Sequence, residues 1–322
     1  MPLESITALV RPEFQPLKQI ILDNINSNVG LVDELASHIL KKGGKRVRPL
    51  LLLLVAKACG YEGTTHLMPA AAIEYFHTAT LLHDDVLDES KVRRGVNTAN
   101  EIWGAKASIL VGDILLTQSM QFMTQTGSIP MLKVLLDAAH EITCGEVKQL
   151  VYANNGALSI DEYFDVIRAK TALLFSAAAE IGAMASNASQ EIIVAMREFG
   201  LHLGNAFQII DDLLDYQADE KTLGKRPGDD LRDGKLTLPL IFAINQADEP
   251  YKKLMIESVA NGCDKNLDTI ITLMHETNAF KQTQQTAQNE ADKALSSLHC
   301  LPDSDAKQAL ISLVNFTVNR NH

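Results

Sequence analysis

Apolar residues recur every three to four positions through most of the chain, and glycine or proline interrupts the pattern more often than polar alternation does. That spacing predicts helices over 15–28, 30–41, 49–59, 66–90, 99–124, 129–151, 160–185, 189–217 and 235–247, with further helices near 249–260, 264–276, 280–299 and 303–319. Pro49 suits a first helical turn, and Ser159 with Glu162 three residues later forms a capping-box pattern. From Leu173 to Ala185 the chain is apolar on nearly every face except at Ser176 and Glu180, the signature of a helix surrounded by others. No alternating stretch persists long enough to predict a strand. The expected fold class is all-α: a single large helical bundle, residues 1–322 forming one domain.

The loops carry more chemistry than the helices. KKGGKRVRP at 41–49 and ESKVRRGVNT at 89–98 are basic segments in a chain whose 29 basic and 40 acidic residues give a net charge of −11. ADEKTLGKRPGDDLRDGK at 218–235 is long, charged and broken by three glycines and one proline. A hydrophobic share of 46% excludes intrinsic disorder, and the acidic balance argues against a nucleic-acid partner, which demands a basic footprint. The first residues, MPLESITALVRPEFQP, contain Glu4 and lack the basic-then-apolar design of a secretory signal. The longest plain apolar run, Leu50 to Ala56, is too short to span lipid. Cys59, Cys144, Cys263 and Cys300 are scattered and form no metal-type pair, so the expected compartment is a reducing cytoplasm.

Two nearly identical clusters end apolar helical runs: Asp84-Asp85-Val86-Leu87-Asp88 and Asp211-Asp212-Leu213-Leu214-Asp215. Positions i and i+4 share a helix face and i+1 lies about 100° round, so each motif projects three carboxylates into one sector. Both clusters oppose the macrodipole, and like charges at this spacing destabilise a helix. A cation relieves that repulsion. Oxygen ligands without His or Cys select Mg²⁺ or Mn²⁺, which bridge carboxylates to substrate phosphates. His77 lies two turns before Asp84 on the same side, a place for a site residue, with a satisfied core histidine as the lesser alternative. Gln208 shares the face of Asp211, Gly204 beneath it leaves room, and Arg46 reads as structural or solvent-facing.

Together these residues resemble the trans-prenyl diphosphate synthases of the all-helical isoprenyl synthase type, over about residues 15–320. The resemblance implies that Asp84, Asp85, Asp88, Asp211, Asp212 and Asp215 face each other across an apolar cavity and hold three Mg²⁺ on an allylic diphosphate. It implies that Lys45, Arg48, His77 and Arg94 bind isopentenyl diphosphate, with Arg93 beside them. Lys170, Thr171 and Gln208 match the allylic side, and Lys225 and Lys235 match lysines that close over that diphosphate. Leu236 stands where the family often has proline. Glu146 and Gln149, a turn apart, are further supporting candidates.

The implied reaction ionises the allylic C–O bond, adds isopentenyl diphosphate to the cation and releases a proton, once per five-carbon unit. In short-chain members an aromatic four or five residues before the first motif blocks the product tunnel. Here those positions hold Thr80 and Ala79, so a longer product is expected, with Phe76, Met120 and Met123 deeper along the tunnel. An ideal wheel puts Thr80 near the motif's face and Ala79 away from it. The motif set most resembles bacterial members that make an octaprenyl product for the ubiquinone side chain from a farnesyl primer. Seven- or nine-unit products, a geranylgeranyl synthase and a non-catalytic synthase subunit are the alternatives. A homodimer and transient membrane contact for product release follow from the resemblance and the product's apolarity.

Overall fold

The computed structural model describes residues 3–25, 27–41, 44, 46–93, 95–153, 158–217 and 227–320. It is all-α, apart from a two-residue hairpin of β1 (Val92–Arg93) and antiparallel β2 (Val96–Asn97). Backbone contacts divide the chain into two compact units: 1–137, 174–197 and 298–312 form the first, and 138–173, 198–297 and 313–322 the second.

The first unit contains α1 (Leu3–Ala8), α2 (Arg11–Asp23), α3 (Gly30–Lys41), α4 (Val47–Ala58), α5 (Leu67–Leu87), α6 (Ala99–Trp103) and α7 (Ala105–Gln125). Every side chain from Leu50 to Ala56 is buried in α4. A helix apolar all round needs neighbours on every side, and α10 (Leu173–Ala185) supplies one. A Cβ at Gly182 would stand 2.6 Å from the Leu52 carbonyl oxygen, so glycine permits this approach. Ser119 Oγ donates to the Ala72 carbonyl at 2.7 Å, and Tyr75 meets Phe122 edge-on at 5.0 Å, pinning α7 along α5. The predicted 99–124 helix is two helices, since Gly104 takes a φ of +85° and ends α6.

The second unit holds most of α8 (Ile129–Ala153), α9 (Ile160–Ile167), the larger part of α11 (Gln190–Gln217), and α12 (Asp229–Arg232), α13 (Leu238–Gln246), α14 (Glu249–Ala260), α15 (Leu267–Glu276) and α16 (Ala279–Ser297). α17 (Asp305–Asn319) contributes its last turns. Ile209, Ile210 and Leu213 of α11 pack into a core with Tyr163, Leu240, Ile270 and Phe280. Ser159 and Glu162 form the predicted capping box at the start of α9. The predicted 160–185 helix is interrupted by a π-turn at Arg168–Ala172, which carries Lys170 and Thr171. Such turns insert one extra residue into the helix and re-aim the side chains around it.

Candidate active site

The first aspartate motif occupies the last turn of α5. Ser90 N–H donates to the Asp85 carbonyl and Glu89 N–H to that of Val86, with Glu89 at a φ of +49°. This Schellman closure stops the helix and turns the chain back. The returning hairpin is held by Thr98 Oγ1 and Asn100 Nδ2, both donating to the Ser90 carbonyl. It delivers Arg93 Nε to Asp85 Oδ1 at 2.7 Å. Asp85 is 2% exposed, whereas Asp84 and Asp88 are half-buried. Burial pushes the Asp85 carboxyl up in pKa, against the opposing pull of the Arg93 guanidinium. The three carboxylates of this motif are therefore not equivalent.

Two turns down α5, His77 Nε2 lies 3.1 Å from Arg48 Nη1, and the Arg48 guanidinium sits 4.7 Å from the centre of the Phe175 ring. Arg48 and His77 are thus brought together, while Lys45 and Arg94 lie outside the described residues. Arg46 is structural: its Nε is 3.4 Å from the buried Glu74, and its Nη2 donates to the Leu40 carbonyl. Ala79 is 1% exposed and Phe76 and Met123 are buried, with Thr80 and Met120 half-buried. Thr80 Oγ1 donates to the His77 carbonyl at 2.9 Å.

The second motif, in α11, is more heavily tied. Asp212 is 4% exposed; it accepts from Tyr163 OH at 2.5 Å and from Gln208 Nε2 at 2.7 Å. Thr171 Oγ1 donates in turn to Gln208 Oε1 at 2.7 Å, so Thr171, Gln208, Asp212 and Tyr163 form one hydrogen-bonded chain. Asp215 accepts the backbone N–H groups of Asp229 and Asp230 at 3.2 and 3.1 Å, capping α12. Asp211 keeps a side chain 44% exposed and is paired with Arg320. Burial pushes Asp212 up to about 7 against its two side-chain donors, and Asp215 up to about 6 against the backbone N–H of Asp230. Burial, then Asp215 and Asp212, push Asp230 well up. Tyr163 is pushed up by burial and by Asp212, so its phenol stays protonated and donates.

Lys170 Nζ lies 3.3 Å from Glu146 Oε1 and 3.4 Å from Oε2. This pairing depends on Gly145, because a Cβ there would fall 2.1 Å from the Ala169 Cβ. Lys235 Nζ pairs with Asp233 at 2.9 Å, and Lys225 lies outside the described residues. No sequence motif marks Tyr163 or Arg320, since each meets the aspartates from a separate element. Only Asp230, in the charged 218–235 segment, carried a local signal.

A divalent cation fits this chemistry. Asp84 and Asp88 are half-buried and Asp211 keeps a side chain 44% exposed, so each offers hard carboxylate oxygens to a cation arriving from solvent. Among the described residues no three His, Cys, Asp or Glu side chains converge so as to hold a metal ion by themselves.

Residues 29–274 match the family model described as polyprenyl synthetase. The chain is 42% identical over 322 residues to the octaprenyl diphosphate synthase of Escherichia coli (strain K12), covering 100% of both chains. It superposes with a TM-score of 0.95 on the polyprenyl synthase of Caulobacter crescentus CB15, solved with calcium and isoprenyl diphosphate, at 37% identity and covering 99% of this chain and 98% of that one. A decaprenyl diphosphate synthase from Rhodobacter capsulatus gives a TM-score of 0.94 at 39% identity, with 100% of both chains covered.

Proposed function

The chain belongs to the polyprenyl synthetase family and is a trans-prenyltransferase, and from that premise we propose that it condenses isopentenyl diphosphate repeatedly onto farnesyl diphosphate to give octaprenyl diphosphate. The observation that carries this reading is the 42% identity along the entire chain to an octaprenyl diphosphate synthase. The small residues Ala79 and Thr80, five and four residues before the first motif, support a long product. The same activity would serve a quinone side chain in the cytoplasm, with the chain working as one domain. Ile109, Leu110 and Ile114 are exposed on α7 and support a homodimer, as an apolar face calls for cover. Product release to a membrane completes the reading.

Mg²⁺, three ions by resemblance, would be held by Asp84, Asp88 and Asp211 and would draw charge from the allylic diphosphate as it leaves. Asp85, Asp212 and Asp215 orient the motifs from beneath, because their oxygens accept from Arg93, from Tyr163 and Gln208, and from the α12 backbone. Lys170, Lys225 and Lys235 neutralise the departing diphosphate. Lys45, Arg48, His77 and Arg94 anchor isopentenyl diphosphate, where the bidentate guanidinium fork suits phosphate oxygens. The allylic C–O bond breaks with its electron pair on diphosphate, and the double bond of isopentenyl diphosphate supplies the pair for the new C–C bond. A proton from the adjacent carbon passes to the departed diphosphate, restoring a double bond. Exclusion of water keeps the cation from being quenched.

Incubation of the purified chain with farnesyl diphosphate, isopentenyl diphosphate and Mg²⁺, followed by chromatography of the product, tests the assignment. A forty-carbon chain is expected. A fifty-carbon chain would favour the decaprenyl activity that the R. capsulatus structure names, and a twenty-carbon chain would overturn the long-chain reading. Thr80→Tyr should shorten the product by several units. An unchanged product would show that the growing chain runs elsewhere.

A further inference from the structure

Arg320, just beyond α17, has a side chain only 9% exposed, yet no sequence motif points to it. Its Nη2 donates to the Phe207 carbonyl at 2.9 Å and also to Asp211 Oδ1, and its guanidinium carbon lies 4.1 Å from the centre of the Phe207 ring. Phe207 and Asp211 are one helical turn apart on α11, so the guanidinium lies along the face that carries the first carboxylate of the second motif. Its Nε is buried without a hydrogen-bond partner. An arginine stacked, charge-paired and still missing one acceptor occupies its place firmly but incompletely, and leaving it forfeits less than a full set of hydrogen bonds.

We propose that Arg320 is the resident cation of Asp211: a positioning residue that holds this carboxylate before a divalent ion arrives and opposes the ion's binding until diphosphate comes with it. The inference rests on the reading of Asp211 as a metal ligand. A unit positive charge beside Asp211 repels a divalent ion and claims one oxygen that the ion would use. Diphosphate adds several negative charges, which outweigh that repulsion and let the ion displace the guanidinium. The device couples metal loading to substrate, so the metal binds weakly by itself and firmly with its diphosphate.

Titration calorimetry of Mg²⁺ into the metal-free full chain tests this, with and without inorganic pyrophosphate. Arg320→Met should bind Mg²⁺ about tenfold more tightly than the parent chain in the absence of pyrophosphate, given the repulsion removed, while Arg320→Lys should stay within about twofold of the parent. Pyrophosphate should raise the affinity of the parent chain more than that of the Met variant. Arg320→Gln replaces the Met variant if the latter does not fold, as judged by thermal melting. Unchanged or weaker Mg²⁺ binding on loss of the positive charge, or an equal gain from pyrophosphate, would overturn the proposal. Asp211→Asn separates the underlying premise: if it leaves Mg²⁺ affinity intact, Asp211 is no ligand and that reading itself fails.

Discussion

The ends of α5 and α11 present the same five-residue pattern, yet the protein secures them by different chemistry. Asp85 and Asp212 hold the same place in the pattern and both are buried. Asp85 meets a guanidinium brought back by a hairpin, whereas Asp212 meets the neutral donors Tyr163 and Gln208. The contrast extends down both helices. α5 carries its own buried glutamate, Glu74, paired with Arg46, while α11 is gripped by Glu290 of α16 through His202 and Asn205 at 2.8 Å each. A repeated motif therefore fixes which carboxylates share a face, but not how each buried charge is balanced.

The broadest test strikes both regions at once. Asp84→Ala and Asp211→Ala should each lower turnover by about a thousandfold or more, the scale expected when electrostatic stabilisation of the leaving group is lost. Both variants should retain their circular dichroism, and Mg²⁺-dependent activity persisting in either would remove that residue from the metal set.

A smaller effect probes the grip on α11. Burial raises the Glu290 carboxyl, but donors on His202, Lys293 and Asn205 outweigh it and hold the group at about 2, against an ordinary 4.5. A depressed folded value stabilises the protein above the unfolded pKa, and this contribution, about 3 kcal/mol at most, is lost as pH falls from about 4.5 towards 2. Glu290→Gln should therefore be less stable than the parent at pH 7, with the two denaturation curves converging in that acid window. A constant gap between them would mean that the ionised carboxylate is not what holds α11.

The finest test compares the two anchors directly. Arg93→Met leaves Asp85 buried without its countercharge and should cost about 2–3 kcal/mol in urea denaturation. Tyr163→Phe removes one neutral donor from Asp212 and should cost about 1–2 kcal/mol. Equal losses would erase the distinction between charged and neutral anchoring.

What the sequence disclosed follows from range along the chain. Helical periodicity, the Ser159 capping box and the two aspartate clusters are local, and the helices appear within a few residues of their expected bounds. The strongest departure is at the amino-terminal side, where α2 covers 11–23 rather than 15–28 and α1 was not anticipated. The π-turn at 168–172 had no signal, since Arg168-Ala169-Lys170-Thr171-Ala172 contains neither glycine nor proline. Arg93 was expected beside a diphosphate, and its bond to Asp85 depends on a hairpin too short to leave an alternating pattern. Tyr163, Glu290 and Arg320 act across 49, 85 to 88, and 109 residues, respectively. No spacing rule reaches that far.

The contact of Gly145 with Ala169 has an evolutionary consequence. The two positions share room for a single methyl group, since a second would lie 2.1 Å from the first. Neither residue can drift independently towards larger size, and alanine at 145 becomes admissible only after glycine has appeared at 169. The order of substitution then matters as much as its content, because the intermediate with two methyl groups would push α8 away from the turn that carries Lys170.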